Sequence, residues 1–377
     1  MRILHVLATL APSGAERMLE VAGPLAVADG FRLAILSTGE GDIGPFAPRL
    51  AAAGYELHHI PFTRDIAFLR QLAGFLRRER FTVVHIHCER ASFWIAAAAR
   101  AAGTRRIVRT FHAIFPFQGT LRGRRAAQRA STRWLLGVTG IAHSPSVVEN
   151  ERRLFANPVR LVPAWIDPSF HPPSADDRAA ARRRLGLAPQ TVAVACVGSC
   201  IAVKNHTALI EATARLAGQG HNIVLLHAGS GPLEAEEQAA AAALGIAGRV
   251  QFLGPVADVR ALLHAADIFA MPSLREGLGI AALEALACGL PALFTETDGL
   301  RDLRALGPVA RWQGPDADAI AGGLADLIHM PAAARQAQAA AAALTTQHQH
   351  GAAAAWAILR AIYAGPVLPA RSASTRR

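Results

Sequence analysis

The sequence predicts an α/β protein built from two doubly wound domains, and three observations carry that prediction. Its 377 residues exceed what one hydrophobic core usually fills, roughly 250–300 residues. Its short apolar runs are continuous rather than alternating, as in parallel strands covered on both faces. Helix-length stretches rich in Ala, Leu and Arg separate those runs, which is the order that crossover connections impose.

In the first half, "RILHVLAT", "RLAILST", "YELHHIPF", "FTVVHIHC", "RRIVRTFH", "GVTGIAHS" and "VRLVPA" read as strands. Helices are expected over 14–29, 65–80, 90–103 and 119–136. The second half repeats the plan with "TVAVACVG", "NIVLLHAG", "RVQFLG", "DIFAMPS", "PALFTE" and "GPVARW". The connector "PAWIDPSFHPPSADD" (163–177) breaks both patterns with Pro and Asp, so it marks the boundary. The expected division is 1–168 and 169–350, a last helix over 351–364 that packs back on the first domain, and a disordered tail over 365–377.

Composition narrows the setting. Residues 1–168 hold 22 Arg against 12 acidic residues, whereas the remainder is nearly balanced. A basic first half suits an anionic partner: a membrane surface, a phosphorylated substrate or nucleic acid. Nucleic acid is not expected, because the arginines lack interleaved stacking aromatics. Cys88, Cys196, Cys200 and Cys288 form no C-x-x-C pair, so neither a disulfide framework nor a zinc site is indicated, and Cys196 and Cys200 read as buried thiols in a reducing compartment. No window approaches the ~20 apolar residues of a membrane span. "MRILHVLATLAPSGAER" reads as a buried first strand and turn rather than a signal peptide. The expected location is the cytoplasm, with peripheral attachment to the inner face of its membrane. "GTLRGRRAAQRASTRW" (119–134) has five arginines beside aromatic residues, so it reads either as a basic interfacial helix or as a solvated one.

The densest chemistry lies in "PSLREGLGIAALEALACGLPAL", residues 272–293. Glu276 and Glu284 are eight apart and fall on nearly the same face of a helix. Gly277, Leu278 and Gly279 open that helix, where free N–H groups and the helix dipole favour an anion. Carboxylates at such a place suit paired hydrogen bonds to hydroxyls. The second focus is "VACVGSCIAVKNH" (193–206), which contains Lys204, the one lysine among 39 cationic residues. A lysine kept in so arginine-rich a chain suggests a position that needs a compact ammonium rather than a planar fork.

These stretches resemble the retaining GT-B glycosyltransferases, above all family 4, whose hallmark is Glu-x7-Glu. "LATLAPSGAERMLEVAGPLA" resembles that family's first loop and helix, usually Gly-Gly-x-Glu. "FTVVHIHCERAS" and "IVRTFHAIFP" resemble its fourth and fifth strands, and "HAGSGPLEAEEQAAAAALGIAGRVQFLGPVADVRALLHAADIFAMPSLREG" resembles its second-domain core. The resemblance implies a GT-B fold, two Rossmann-like domains facing across a cleft, with a nucleotide-sugar donor between them. It implies metal-independent transfer with retained anomeric configuration, no cofactor, and a glycan or lipid-linked acceptor. By motif match, Glu284 would hold the ribose, Glu276 the sugar hydroxyls, and Lys204 the diphosphate. His112 would touch the donor sugar near the reacting centre. Gly14, Gly198, Ser199, Gly277, Leu278 and Gly279 complete the implied donor-binding set.

Two departures stand out. The family usually has Val-Gly-Arg before its lysine, with that arginine also on the diphosphate; here the text is Val197-Gly198-Ser199. Arg275 and Arg301 are the candidates to replace it. Ser13 stands where the first glycine of Gly-Gly is usual. A catalytically silent sugar- or nucleotide-binding subunit therefore stands as the second reading. His85 and His87, two apart beside Cys88, are the nearest approach to a metal motif, but no further ligands converge and none is expected. His58 and His59 read as edge-strand surface.

Overall fold

The computed structural model describes residues 1–308 and 310–365. The predicted tail lies, beyond Gly365, outside the described residues. The chain divides into two compact units: Met1–Trp165 with the last helix Ala352–Ala364, and Ile166–Gly351.

The first unit is a seven-stranded sheet of β1 (Arg2–Leu7), β2 (Arg32–Ser37), β3 (Tyr55–His59), β4 (Val83–Ile86), β5 (Arg106–Phe111), β6 (Val138–Ala142) and β7 (Arg160–Leu161). Their order is β3-β2-β1-β4-β5-β6-β7, and every pairing is parallel. The second unit has β8 (Val192–Val197), β9 (Ile223–Ala228), β10 (Val250–Phe252), β11 (Ile268–Met271), β12 (Ala292–Thr295) and β13 (Ala310–Gln313). Its order is β10-β9-β8-β11-β12-β13, again all parallel.

Continuous apolar strands produce these sheets because helices cover both faces and leave no solvent side to alternate with. Leu4, Val6, Val84, Ile86 and Ile107 are fully buried under the helices Ile66–Glu79 and Ser92–Ala101. Val194, Ile268, Ala270 and Leu293 are fully buried in the second unit, under the helices His206–Gly218 and Ala317–His329. In each sheet the strand order reverses once, between β1 and β4 and between β8 and β11. There the connections depart to opposite faces and leave a crevice beyond the strands' carboxyl ends. The last helix belongs to the first unit: Tyr363 Oη bonds His85 Nδ1 at 2.6 Å, and Trp356 Nε1 donates to Asp29 Oδ2 at 2.8 Å.

The helix Gly119–Trp134 answers to neither sequence expectation alone. Four of its five arginines stay at least partly exposed, but Arg129 is buried, locked bidentately to Glu151 at 2.7 and 2.9 Å. Asn157 Nδ2 adds a bond to the same carboxylate at 2.7 Å, and the Arg129 guanidinium lies 4.1 Å from the Phe155 ring centroid. Glu89 bridges Arg129 to the buried Arg109. Breaking such a pair strands a charge in the core. Glu151→Ala should cost about 3–5 kcal/mol in urea denaturation, whereas Glu149→Ala, which breaks an exposed pair with Arg152, should leave the midpoint unchanged.

Candidate functional site

The reversal of the second sheet carries both motifs that the sequence singled out. Beyond β8 runs the loop with Gly198 and Ser199, then a single turn of 3-10 helix, Ala202–Lys204. Asn205 follows in the left-handed region (φ 58°) and starts the helix His206–Gly218; its side chain donates to the Pro315 carbonyl at 2.8 Å. Beyond β11 runs the loop of Glu276, Gly277, Leu278 and Gly279, then the helix Ile280–Ala287. The Leu274 amide donates to the Val203 carbonyl at 2.8 Å, which ties the two loops together. Across that tie, Lys204 Nζ lies 2.5 Å from Glu276 Oε1. Ser273 Oγ donates to the same oxygen at 2.8 Å. The compact ammonium on a short turn thus meets a carboxylate fixed from two sides.

Glycines make the loops fit. Gly279 precedes the helix with φ 86°, a left-handed conformation that a side chain would strain. A Cβ at Gly299 would overlap the Glu276 carbonyl oxygen, so this glycine lets the short helix Asp298–Arg301 lie against the Glu276–Gly277 backbone. Likewise Gly229 (φ 146°) admits the Gly198 carbonyl. Sequence reasoning missed Gly229, Gly299 and Ser273. Their signal was faint: single small residues in loops whose register only the folded sheet supplies.

Glu284 lies one turn into the helix and is buried, at 3 % exposure. Ser199 is exposed. Neither replacement for the missing arginine is visibly committed to the Lys204–Glu276 locus. Arg301 is paired with Asp298, and Arg275 stands exposed beside Glu276.

The remaining sequence candidates, Gly14 and His112, belong to the first unit. Gly14 begins the helix Gly14–Ala28, and Ser13 caps it by accepting from the Ala15 amide at 3.3 Å. The Ser13 hydroxyl in turn donates to Glu16. The serine that replaces the usual glycine therefore has a local task. Glu16, another residue not singled out from sequence, is 5 % exposed.

His112 follows β5 and ends a chain of imidazoles. His5 Nδ1 lies 3.0 Å from His87 Nε2, and His87 Nδ1 lies 3.0 Å from His112 Nε2. Burial depresses them all, His5 and His112 to about 3 and His87 well below its usual value; His143, whose ring centroid lies 5.3 Å from that of His112, is depressed to about 4 and adds to the effect at His112. A neutral imidazole carries one donor and one acceptor, so each N···N contact holds one proton and the tautomers are set collectively. His112 is accordingly a neutral hydrogen-bonding group, not a cation.

Burial also raises Glu16 to about 7, against the opposing bonds from Ser13 and the backbone. Between pH 4.5 and 7 the folded chain then binds more protons than the unfolded one, so stability falls as pH rises through that window. Glu16→Gln should flatten this fall, which is on the order of 3 kcal/mol, in urea denaturation followed against pH.

The comparisons with known proteins agree with this fold. HepE of Anabaena, solved with UDP and glucose, superposes with a TM-score of 0.81 over 96% of this chain and 98% of its own, at 20% identity. A glycosyltransferase of Rickettsia africae gives 0.77 over 96% and 97%, at 16% identity. These define the class: an α/β protein of GT-B fold. The description "Glycosyltransferase Family 4" matches residues 12–170, and "Glycosyl transferases group 1" matches residues 177–344. EpsF of Bacillus subtilis is 29% identical over 78% of this chain and 79% of its own. A D-inositol 3-phosphate glycosyltransferase of Mycobacterium marinum is 30% identical over 66% of this chain, which spans about half of that relative (51%). The chain belongs to the family 4-like, group 1 glycosyltransferases of GT-B fold, and is an enzyme of the hexosyltransferase class.

Proposed function

We propose that this glycosyltransferase moves a hexosyl unit from a UDP- or GDP-sugar, with retained anomeric configuration, to a growing glycan or lipid-linked acceptor in cell-envelope or exopolysaccharide synthesis. The observation that carries the reading is the Lys204–Glu276 contact at the β8/β11 reversal. An ammonium and a carboxylate held together match the two halves of such a donor. The diphosphate takes the ammonium, and the sugar hydroxyls take the carboxylate.

In the transfer step the bond between the sugar's anomeric carbon and the diphosphate oxygen breaks. The acceptor oxygen bonds to that carbon from the same face, and its proton passes to the departing diphosphate. Negative charge grows on the diphosphate as it leaves. Lys204 and the free N–H groups at the start of the helix Ile280–Ala287 stabilise it without a divalent ion. Glu284 holds the ribose, and His112 supplies a neutral hydrogen bond to the sugar. HepE was crystallised with UDP and glucose, which supports a uridine donor for this chain as well.

The acceptor side draws on the first unit. Arg64, Arg90, Arg124 and Arg125 line a cavity of about 580 Å³ with Phe93 and Trp94, a combination suited to an anionic group beside an apolar one. Trp134 and Leu135, at the end of the helix Gly119–Trp134, are exposed at 59% and 73%. Exposed apolar residues beside arginines fit attachment to an anionic membrane surface on the cytoplasmic side. Among the described residues, no helix is long and apolar enough to cross a membrane.

A thermal-shift panel of nucleotides and nucleotide-sugars, followed by transfer or slow donor hydrolysis, identifies the donor. With that donor, Lys204→Ala should lower the rate by about 10²–10³-fold, and Lys204→Arg nearly as much, because a planar fork does not replace the point charge. Wild-type rates in Lys204→Arg would sink the assignment of the lysine. Tight nucleotide binding without turnover on any donor would favour the silent subunit. On anionic vesicles, Arg122→Glu with Arg124→Glu should abolish sedimentation at low salt. Binding by the unaltered protein should fade as salt rises; absence of binding at low salt would remove the membrane from the reading.

A further inference from the structure

The second unit gathers a group of side chains that the transfer chemistry does not use. Cys200, His206, His227 and Glu237 each offer a ligand atom, and all four atoms lie within 4.8 Å of one another. All are buried, at 0%, 3%, 2% and 2% exposure. They come from four places: the loop after β8, the start of the helix His206–Gly218, the strand β9, and the first turns of the helix Glu234–Ala243. The His206 and His227 ring centroids are 4.4 Å apart.

As a plain hydrogen-bond network this cluster is incomplete. His206 Nδ1 meets Glu237 Oε1 at 3.1 Å, but neither ring nitrogen of His227 makes a well-formed hydrogen bond, nor does Glu237 Oε2, although the Gly198 backbone faces His227 and the Cys200 thiol faces Glu237. A buried polar atom left unpaired gives up its hydration with nothing in return. The backbone around the cluster is well bonded, so the orphaned atoms do not reflect a loose region. The Cys200 amide donates to the Ser230 carbonyl at 3.1 Å, the Leu233 amide donates to the Cys200 carbonyl at 3.0 Å, and Gly231 leaves room for that approach. A second histidine group, His5, His85 and His87, is similarly close but is satisfied internally. Both His85 nitrogens are bonded, to Tyr363 and Thr110, and His5 is bonded to His87.

From this geometry we infer a structural zinc site formed by Cys200, His206, His227 and Glu237. One thiolate, two imidazoles and one carboxylate are the donor types zinc takes. Bond lengths of about 2.0–2.3 Å place the ligand atoms of a tetrahedral site with one sulfur about 3.3–3.6 Å apart, which small side-chain rotations reach from the spacing present. Two anionic and two neutral ligands cancel the ion's charge, as a buried site requires. Four protein ligands close the coordination sphere, so the ion holds structure and does not take part in transfer. Uptake displaces to solvent the Cys200 thiol proton and the proton held between His206 Nδ1 and Glu237, as the metal–sulfur and metal–nitrogen bonds form. The ion would clamp the chain on both sides of Lys204, at Cys200 and His206. This departs from the sequence reading, which expected no metal, and it stands or falls independently of the donor assignment.

The test uses full-length protein without a polyhistidine tag, stripped by a chelator and titrated with Co²⁺. The expected result is uptake of one ion per chain, with a thiolate-to-cobalt charge-transfer band and the intense visible bands of a tetrahedral ion. Zn²⁺ should bleach both stoichiometrically. Cys200→Ser should lose the charge-transfer band, His227→Asn should lose stoichiometric uptake, and Cys288→Ser should keep both. No stoichiometric uptake by the unaltered protein overturns the site. So does uptake without a thiolate band, which would point to the first unit's histidines, or a band that survives in Cys200→Ser. Should Cys200→Ser fail to fold, the unaltered protein's spectrum together with His227→Asn still decides.

Discussion

In each unit the strand order turns back on itself once, and that constraint governs where chemistry can sit. A wholly parallel sheet sends every connection over a face as a helix, so its loops are short and crowded. Only where the order reverses do two neighbouring loops part to opposite sides and leave open backbone. In the second unit those loops follow β8 and β11. The Leu274–Val203 hydrogen bond and the Asn205 side chain on the Pro272 carbonyl tie these two loops together, and the absent side chains of Gly229 and Gly299 let neighbouring backbone pack against each of them. The Lys204–Glu276 contact is the result of this framing.

The first unit meets a different problem, the burial of much polar matter. Its core holds Arg129, Glu151, Arg109, His5 and His85 along with the aliphatic residues. Each is retained through a specific partner rather than by access to water. The imidazoles go in neutral and link nose to tail; the guanidiniums go in charged and are matched by Glu89 and Glu151. Such networks define one arrangement sharply, because any slip leaves an unpaired group in a place of low polarity. The row of histidines under His112 therefore fixes the orientation of that ring.

The sheets were legible because continuous apolar runs have one economical explanation, and the strands "RILHVLAT" and "VAVACVG" announce it. The Glu276–Glu284 motif and Lys204 were legible for another reason: they lie in local motifs whose chemistry can be read residue by residue, although only Glu284 lies on the helix, since Gly279 starts it three residues after Glu276. What escaped the sequence depends on register between distant segments. Gly299 matters only because its helix lies on Glu276. Arg129 looks like its surface neighbours until Glu151, far along the chain, is seen to face it. Cys200, His206, His227 and Glu237 have no short spacing to betray them, since β9 and the helix after it must first fold back across β8.

The pairing of Lys204 with Glu276 has a consequence for the working cycle. In the free enzyme each is the other's counter-ion, at 2.5 Å. On the proposed reading, a donor enters by exchange, separating the two and answering each with part of itself. Departure runs the same exchange backwards. Once the sugar has gone, the carboxylate has lost its hydroxyls and competes with the diphosphate for the ammonium. On that reading the spent nucleotide meets a rival for the ammonium already tethered alongside it, so one pair of side chains would serve both binding and release.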